Sequence, residues 1–286
     1  MIAGLLLMAA SAAVAHAHAD EQPINCGSCA KWNALHAPFK LHGNSFYVGV
    51  GGLSSVLITT PNGHFLIDGG LPQSAEVIKQ NIQALGFDVR DVEWLLNSHA
   101  HYDHAGGLAS LQRMSGAPIA ASSKTLKALE LGHALPDDPQ YATDNTMAFP
   151  AVASVRTIRD GETLALGGVT VTAHDTPGHA PGGNSWSWES CEAGKCITIV
   201  FADSLNPVSE PDYRFSDHPA YLTAFRQSIA KVRALDCDIL VSAHPEFSNL
   251  FERAAAGSLV DANGCRKYAD AAEARLDKRL AQETAE

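Results

Sequence analysis

The segment Asn97-Ser98-His99-Ala100-His101-Tyr102-Asp103-His104 puts three imidazoles and a carboxylate into six consecutive positions, 99 to 104. Their lone pairs suit zinc, a borderline ion that takes nitrogen and carboxylate ligands readily. A lone histidine is most often structural or solvated, but this density in an apolar stretch does not read as a solvated face. Four ligands so close in sequence cannot all wrap one tetrahedral ion, so other segments must contribute. His179 lies in Thr176-Pro177-Gly178-His179, and His244 follows the apolar run Ile239-Leu240-Val241, each at the end of a predicted strand. The other histidines among the 13 read as bystanders, with His174 the nearest rival to His179.

Such ligands need rigid launching points, and strand ends supply them. Val92 to Leu96, directly before the cluster, reads as a buried strand. Phe46 to Val50, Ser55 to Thr60 and Phe65 to Ile67 also read as strands, with a turn at Pro61-Asn62-Gly63. Gln73 to Leu85 has apolar residues at helical spacing (Ala75, Ile78, Ile82, Leu85) and is followed by Gly86, a good cap. Gly106 to Met114 reads as a short helix. Further on, Glu162 to Ala173 is expected to be a hairpin turning at Gly167-Gly168. Ser185 to Glu189, Ile197 to Phe201 and Ile239 to Ser242 read as strands, and Pro219 to Leu235 and Arg266 to Ala281 as helices. Two such halves without a low-complexity linker suit an α/β fold of four layers, an αββα sandwich. His133 to Ala153 has no regular pattern, and loops of that length are usually functional or mobile.

The chain has 286 residues, 46% hydrophobic and 18% charged, which is globular composition. Its net charge of −11 argues against binding nucleic acid or an anionic membrane through a basic patch. Ile2 to Val14 is apolar but too short to span a bilayer, and small residues in an A-x-A arrangement follow it. Residues 1–19 therefore read as a secretory signal peptide, leaving 20–286 as a single domain. No Lys or Arg precedes the apolar run, so a retained membrane anchor is the alternative. The mature protein is expected in the periplasm, monomeric and without stable membrane association. Its six cysteines favour disulfides in an exported chain. Proximity suggests Cys26–Cys29, Cys191–Cys196 and Cys237–Cys265. A structural zinc at Cys26 and Cys29 would lack a second nearby ligand pair.

His-x-His-x-Asp-His after a strand, with the later Thr-Pro-Gly-His and Ser-Ala-His-Pro segments, resembles the metallo-beta-lactamase superfamily. Leu66-Ile67-Asp68-Gly69-Gly70 is similar to it too, and there the Asp braces loops beneath the metals. Three further features resemble the class B, subclass 3 beta-lactamases. They are His179-Ala180-Pro181-Gly182-Gly183 leading to Trp186-Ser187-Trp188, the Ala202-Asp203-Ser204-Leu205-Asn206 run, and the Cys237 to Cys265 arrangement. The resemblance implies two Zn2+ per chain. His99, His101 and His179 would bind the first, and Asp103, His104 and His244 the second. It also implies that Ser204 and Asn206 contact the substrate carboxylate and that Tyr141 flanks the bound drug. Ala180 and Asn184 depart from a pattern that usually has Thr. Gly51 stands where some relatives carry a cysteine for Cys26, and Cys29 is extra.

The implied chemistry is hydrolysis of the β-lactam amide of penicillins, cephalosporins and carbapenems by a metal-bound hydroxide, giving antibiotic resistance. Two zinc ions sharing a water lower its pKa from about 15.7 towards about 7, and Asp103 would orient the nucleophile. Neither a Ser-x-x-Lys pair supported by Ser-Asp-Asn nor a Gly-x-Ser-x-Gly elbow is present. A thioester hydrolase such as glyoxalase II, or a lactonase, is the alternative on the same fold, because chemistry resides in the site. In those relatives an Asp at a position like Asp203 bridges the metals. A zinc-binding protein without catalysis and a nuclease are the remaining readings.

Overall fold

Side chains alternate between the two faces of a strand, so a sheet covered on both sides reads as apolar at every position. Several strands here have that character. The computed structural model describes residues 22–144 and 147–285, and the expected leader, residues 1–19, lies outside them. The first half runs α1 (Cys29–Trp32), β1 (Phe39–His42), β2 (Ser45–Tyr47), β3 (Val56–Thr60), β4 (Gly63–Ile67), α2 (Ser74–Ala84), β5 (Val92–Leu96), α3 (Leu108–Ser115), β6 (Ile119–Ser122), α4 (Leu126–Leu131) and β7 (Val155–Ile158). The second runs β8 (Thr163–Leu166), β9 (Val169–Asp175), β10 (Asn184–Glu192), β11 (Lys195–Ala202), α5 (Pro219–Ala234), β12 (Ile239–Ser242), α6 (Leu250–Ala255) and α7 (Gly264–Glu283).

β1 to β7 form one sheet in sequence order, and the second sheet is ordered β12-β11-β10-β9-β8. Val56 and Ile58 of β3 and Phe65 and Ile67 of β4 face Ile199 and Phe201 of β11 in a core between the sheets. The intervening Leu57 and Leu66 turn the other way, onto Ile78 and Ile82 of α2 and Leu108 and Leu111 of α3. Val200 of β11 and Leu240 of β12 likewise turn outward, onto Phe225 and Ile229 of α5 and Tyr268 and Leu276 of α7. Helix, sheet, sheet and helix are therefore the four layers, as expected. Among the described residues no helix is long and apolar enough to cross a membrane.

The elements missing from the pattern reading are short. β6 reads Ile-Ala-Ala-Ser and is buried throughout, paired in parallel with β5 and β7. One β-branched residue in four carries little strand signal. The hairpin expected at Gly167-Gly168 is present between β8 and β9, with φ of 52° and 88°. Both values lie in the left-handed region that two-residue hairpin turns require and glycine supplies.

The three disulfides are Cys26–Cys29, Cys191–Cys196 and Cys237–Cys265. The second closes the β10–β11 hairpin, where the two residues are paired across the strands. The third ties the approach to β12 to the first turn of α7, inside the outer core. Its loop spans 28 residues, so the double variant Cys237→Ala/Cys265→Ala is expected to lose about 3–4 kcal/mol, a chain-entropy value. Denaturant unfolding checks this, and an unchanged midpoint would refute it.

Candidate metal centre

Five strand ends converge on one rim of the sandwich. β4 leads into Asp68, β5 into the 97–104 segment, β9 into the turn ending at His179, β11 into Asp203, and β12 into His244. Two of the pairs, β4 with β5 and β11 with β12, are parallel. Ligand sites of parallel sheets gather at such carboxyl ends.

Backbone hydrogen bonds set the loop that carries the dense motif. The Asp68 N–H donates to Leu96 O at 2.9 Å, and its carboxylate accepts from Ser98 N at 2.7 Å and Ser98 Oγ at 2.6 Å. Asp68 has a φ of 57°, a left-handed conformation that costs a non-glycine residue and persists only where its surroundings over-determine it. Asn97 Nδ2 donates to His99 O at 2.9 Å, and Trp186 Nε1 donates to Asn97 O at 3.3 Å. Trp186 is fully buried, so a core indole steadies the loop from beneath.

Each histidine of the cluster has one ring nitrogen engaged at the rear and the other turned inward. His99 Nδ1 lies 2.7 Å from Asp203 Oδ1, while His99 Nε2 is buried without a partner. His101 Nε2 lies 3.0 Å from Asp138 Oδ2. His179 Nδ1 lies 2.9 Å from Asn206 O, and His244 Nδ1 lies 3.1 Å from Gly52 O. His104 Nδ1 stands 3.3 Å from Asp68 Oδ2. A carboxylate or carbonyl behind an imidazole holds the proton there and leaves the other nitrogen as a lone pair. Five imidazoles share that arrangement.

The inward atoms have the spacing that a zinc ion demands. His104 Nε2, His244 Nε2 and Asp103 Oδ2 form a triangle with edges of 3.3, 3.4 and 3.5 Å. A tetrahedral zinc with ligands at about 2.0–2.1 Å needs edges of about 3.3–3.4 Å. Ligand atoms of His99, His101 and His179 lie within 4.8 Å of one another, as do those of His99, Asp103 and His104. The donor set and its spacing thus fit two divalent ions.

Electrostatics reinforce the arrangement. Burial, with the neighbouring His104 and His101, holds His99 well below the ordinary imidazole range, and burial with His101 pulls His179 down to about 3. Burial alone would raise the Asp103 carboxyl, but His104 and His244 outweigh it and hold it far below the usual range. These groups carry ligand-ready lone pairs at neutral pH. Burial also opposes the charge of His101 and His104, yet Asp138 and Asp103 outweigh it and raise both rings. Protons therefore compete hardest with a metal at those two positions as pH falls. Asp203 goes the opposite way, pushed well above the carboxylate range by burial and then by Asp68.

All six expected ligands come together, and Asp203 stands behind His99 with Oδ1 on Nδ1. Its Oδ2 packs on Gly183, where an added Cβ would sit 2.4 Å from that oxygen and 2.5 Å from Thr176 O. This close approach accounts for the glycine ending His179-Ala180-Pro181-Gly182-Gly183. Asn206 lines the cleft beside His179, with its Oδ1 buried and unpartnered. Ser204 is buried beneath the cleft without lining it, and its Oγ likewise has no partner. Tyr141 does not line the cleft; its neighbour Gln140 does. Gln140 Nε2 lies 3.4 Å from His101 Nδ1 and 3.3 Å from His179 Nε2, the nitrogens that a metal would take.

Pattern reading did not single out Asp138, Gln140, Gly52 or Trp32, although all touch this centre. Asp138 and Gln140 sit in the 133–153 stretch, which holds no helix or strand among its described residues. Its length was the one signal pointing there.

Residues 48–244 match the family model of the metallo-beta-lactamase superfamily. Among solved structures, the Rm3 metallo-beta-lactamase is 50% identical, with a TM-score of 0.87 over 91% of this chain and 99% of that one. MEM-A1, a subclass B3 metallo-beta-lactamase isolated from a soil metagenome library, is 48% identical, with a TM-score of 0.86 over 89% of this chain and 99% of that one. A curated relative, the hydroxyacylglutathione hydrolase of Anaeromyxobacter dehalogenans, is 32% identical over 171 residues, 54% of this chain. The chain spans 56% of that relative and 34% of a probable metallo-hydrolase of Burkholderia pseudomallei.

Proposed function

The chain belongs to the metallo-beta-lactamase superfamily, and from that premise we propose that it is a two-zinc beta-lactamase that hydrolyses the β-lactam amide. The observation that carries this reading is the set of five imidazoles, each with one nitrogen facing an oxygen at the rear and the other turned inward, gathered beside Asp103. Solved subclass B3 relatives that cover nine-tenths of the chain support the choice of substrate class.

In this proposal His99, His101 and His179 hold one ion, and Asp103, His104 and His244 hold the other. When bound, the pair supplies Lewis acidity and lowers the pKa of water to about 7. Asp103 places Oδ2 in the triangle with His104 and His244, which leaves Oδ1 to orient the attacking water by accepting its hydrogen bond. Ser204 and Asn206, each with an unpartnered buried polar atom, take the substrate's ring carboxylate. Gln140 releases the two imidazoles it touches and turns to the substrate. Asp68, Asp138, Asp203 and the Gly52 carbonyl keep the rings from rotating.

Turnover of a chromogenic cephalosporin and a carbapenem, with and without a chelator, tests the reading. Hydrolysis is expected to vanish with the chelator and return with zinc. No turnover by a folded protein carrying two zincs would sink the proposal.

The second reading is a thioester hydrolase, favoured by the hydroxyacylglutathione hydrolase relative. A bridging role for Asp203 would require Oδ1 to leave His99 Nδ1, which argues for the lactamase. Hydrolysis of lactoylglutathione in the same assay separates the two. We further propose that residues 20–286 work as one exported, monomeric unit in the periplasm, where three disulfides would persist.

A further inference from the structure

The cleft holding Asp103, His179 and His244 continues onto α7, where Arg275 and Lys278 line it. The Arg275 guanidinium carbon lies 5.0 Å from the centre of the Phe247 ring, and that ring meets His244 edge-on at 5.9 Å. One phenyl ring therefore separates the guanidinium from a residue of the metal-ligand cluster. Stacking of this kind fixes the plane in which an arginine presents its donors.

Arg275 meets no acid, unlike three other arginines on α5 and α7. On α5 and α7, Arg226 pairs with Asp277, Arg233 with Asp270 and Glu273, and Arg279 with Glu283. Arg275 Nε and Nη2 are buried with no hydrogen-bond partner, and among the described residues neither Arg275 nor Lys278 meets a carboxylate. Glu246, the acid on this wall, is taken by Lys31 at 3.1 Å. Buried donors without an acceptor are costly, and an acid bound in the cleft beside this guanidinium would offset part of that cost.

We propose that Arg275, assisted by Lys278, is a carboxylate subsite that binds an anionic side chain of the substrate. The enzyme would then favour β-lactams carrying a second carboxylate besides the one on the ring. The inference rests on the beta-lactamase reading and narrows its substrate class. The ring carboxylate is already provided for by Ser204 and Asn206, and Asn206 borders His179. Arg275 lies across the Phe247 ring from His244, so it meets a different part of the molecule. A guanidinium fork suits a carboxylate bidentately, which a lysine cannot match.

The test compares benzylpenicillin with its α-carboxy derivative, which differ by that one group. Arg275→Ala is expected to lower the ratio of kcat/KM values, α-carboxy over plain, about tenfold, through KM, as for loss of a charged hydrogen bond. Arg275→Lys is expected to lower it less. Added salt should lower the ratio in the parent enzyme and leave it flat in Arg275→Ala. Because each ratio comes from one preparation, loss of folded protein cancels. A ratio within twofold of the parent in Arg275→Ala would overturn the subsite. Failure of the parent enzyme to open either penicillin would instead overturn the beta-lactamase reading itself.

Discussion

Asp103→Asn is expected to lower kcat/KM on a cephalosporin by about a thousandfold, within the range for removing a positioned proton acceptor. The variant keeps the shape of the side chain, so the fold is expected to survive. What it loses is charge: His104 and His244 hold the Asp103 carboxyl ionised far below neutral pH, against the opposing effect of burial. The substitution therefore removes a full negative charge at every assay pH. It also swaps one carboxylate oxygen for a weakly ligating amide, in a triangle with edges of 3.3 to 3.5 Å. Bound zinc, measured by atomic emission, is expected to fall from two towards one per chain. Two tightly held zincs with activity within tenfold of the parent would remove Asp103 from both roles.

Asp203→Ala carries the second large effect and decides between the rival chemistries. Its Oδ1 sits 2.7 Å from His99 Nδ1, so alanine leaves a buried ring nitrogen without its partner. Partners of this kind typically matter 10- to 100-fold in metal affinity, and the loss is expected at the ion held by His99, His101 and His179. Stability of the metal-free protein should drop by about 1–3 kcal/mol, the cost of an unsatisfied buried donor. An asparagine keeps the shape of the side chain and an amide oxygen that can accept from His99 Nδ1. Asp203→Asn is therefore expected to keep most of the affinity. A ligand that bridged two metals would not tolerate that change. Equal losses in Ala and Asn, with both zincs weakened, would favour the thioesterase-like arrangement.

Much of the centre was legible because its signals are local. His99, His101, Asp103 and His104 fall within six positions after a strand whose five residues match the predicted boundaries. The four layers could be read from continuous apolar runs such as Val56-Leu57-Ile58 and Phe65-Leu66-Ile67, since a strand covered on both faces needs apolar side chains at every step. The disulfides followed from proximity in sequence. β6 and α4 were not legible, because four or six residues hold too few periods to rise above chance.

Sequence by itself determined which side chains offer lone pairs, and that strand ends would carry them. Only the tertiary structure decided which nitrogen of each ring faces inward, since the choice belongs to partners far along the chain. Asp203 lies 104 residues from His99, and Gly52 lies 192 from His244. It also decided that Asp203 stands behind His99 and that Gln140, not Tyr141, borders the cleft. Arg275 illustrates the same division. Its charge is evident in the sequence, but its lack of an acid is a property of everything packed around it. Hydrogen bonds and ion pairs depend on distances of a few ångströms, and contacts between distant segments leave no periodic trace in the order of residues.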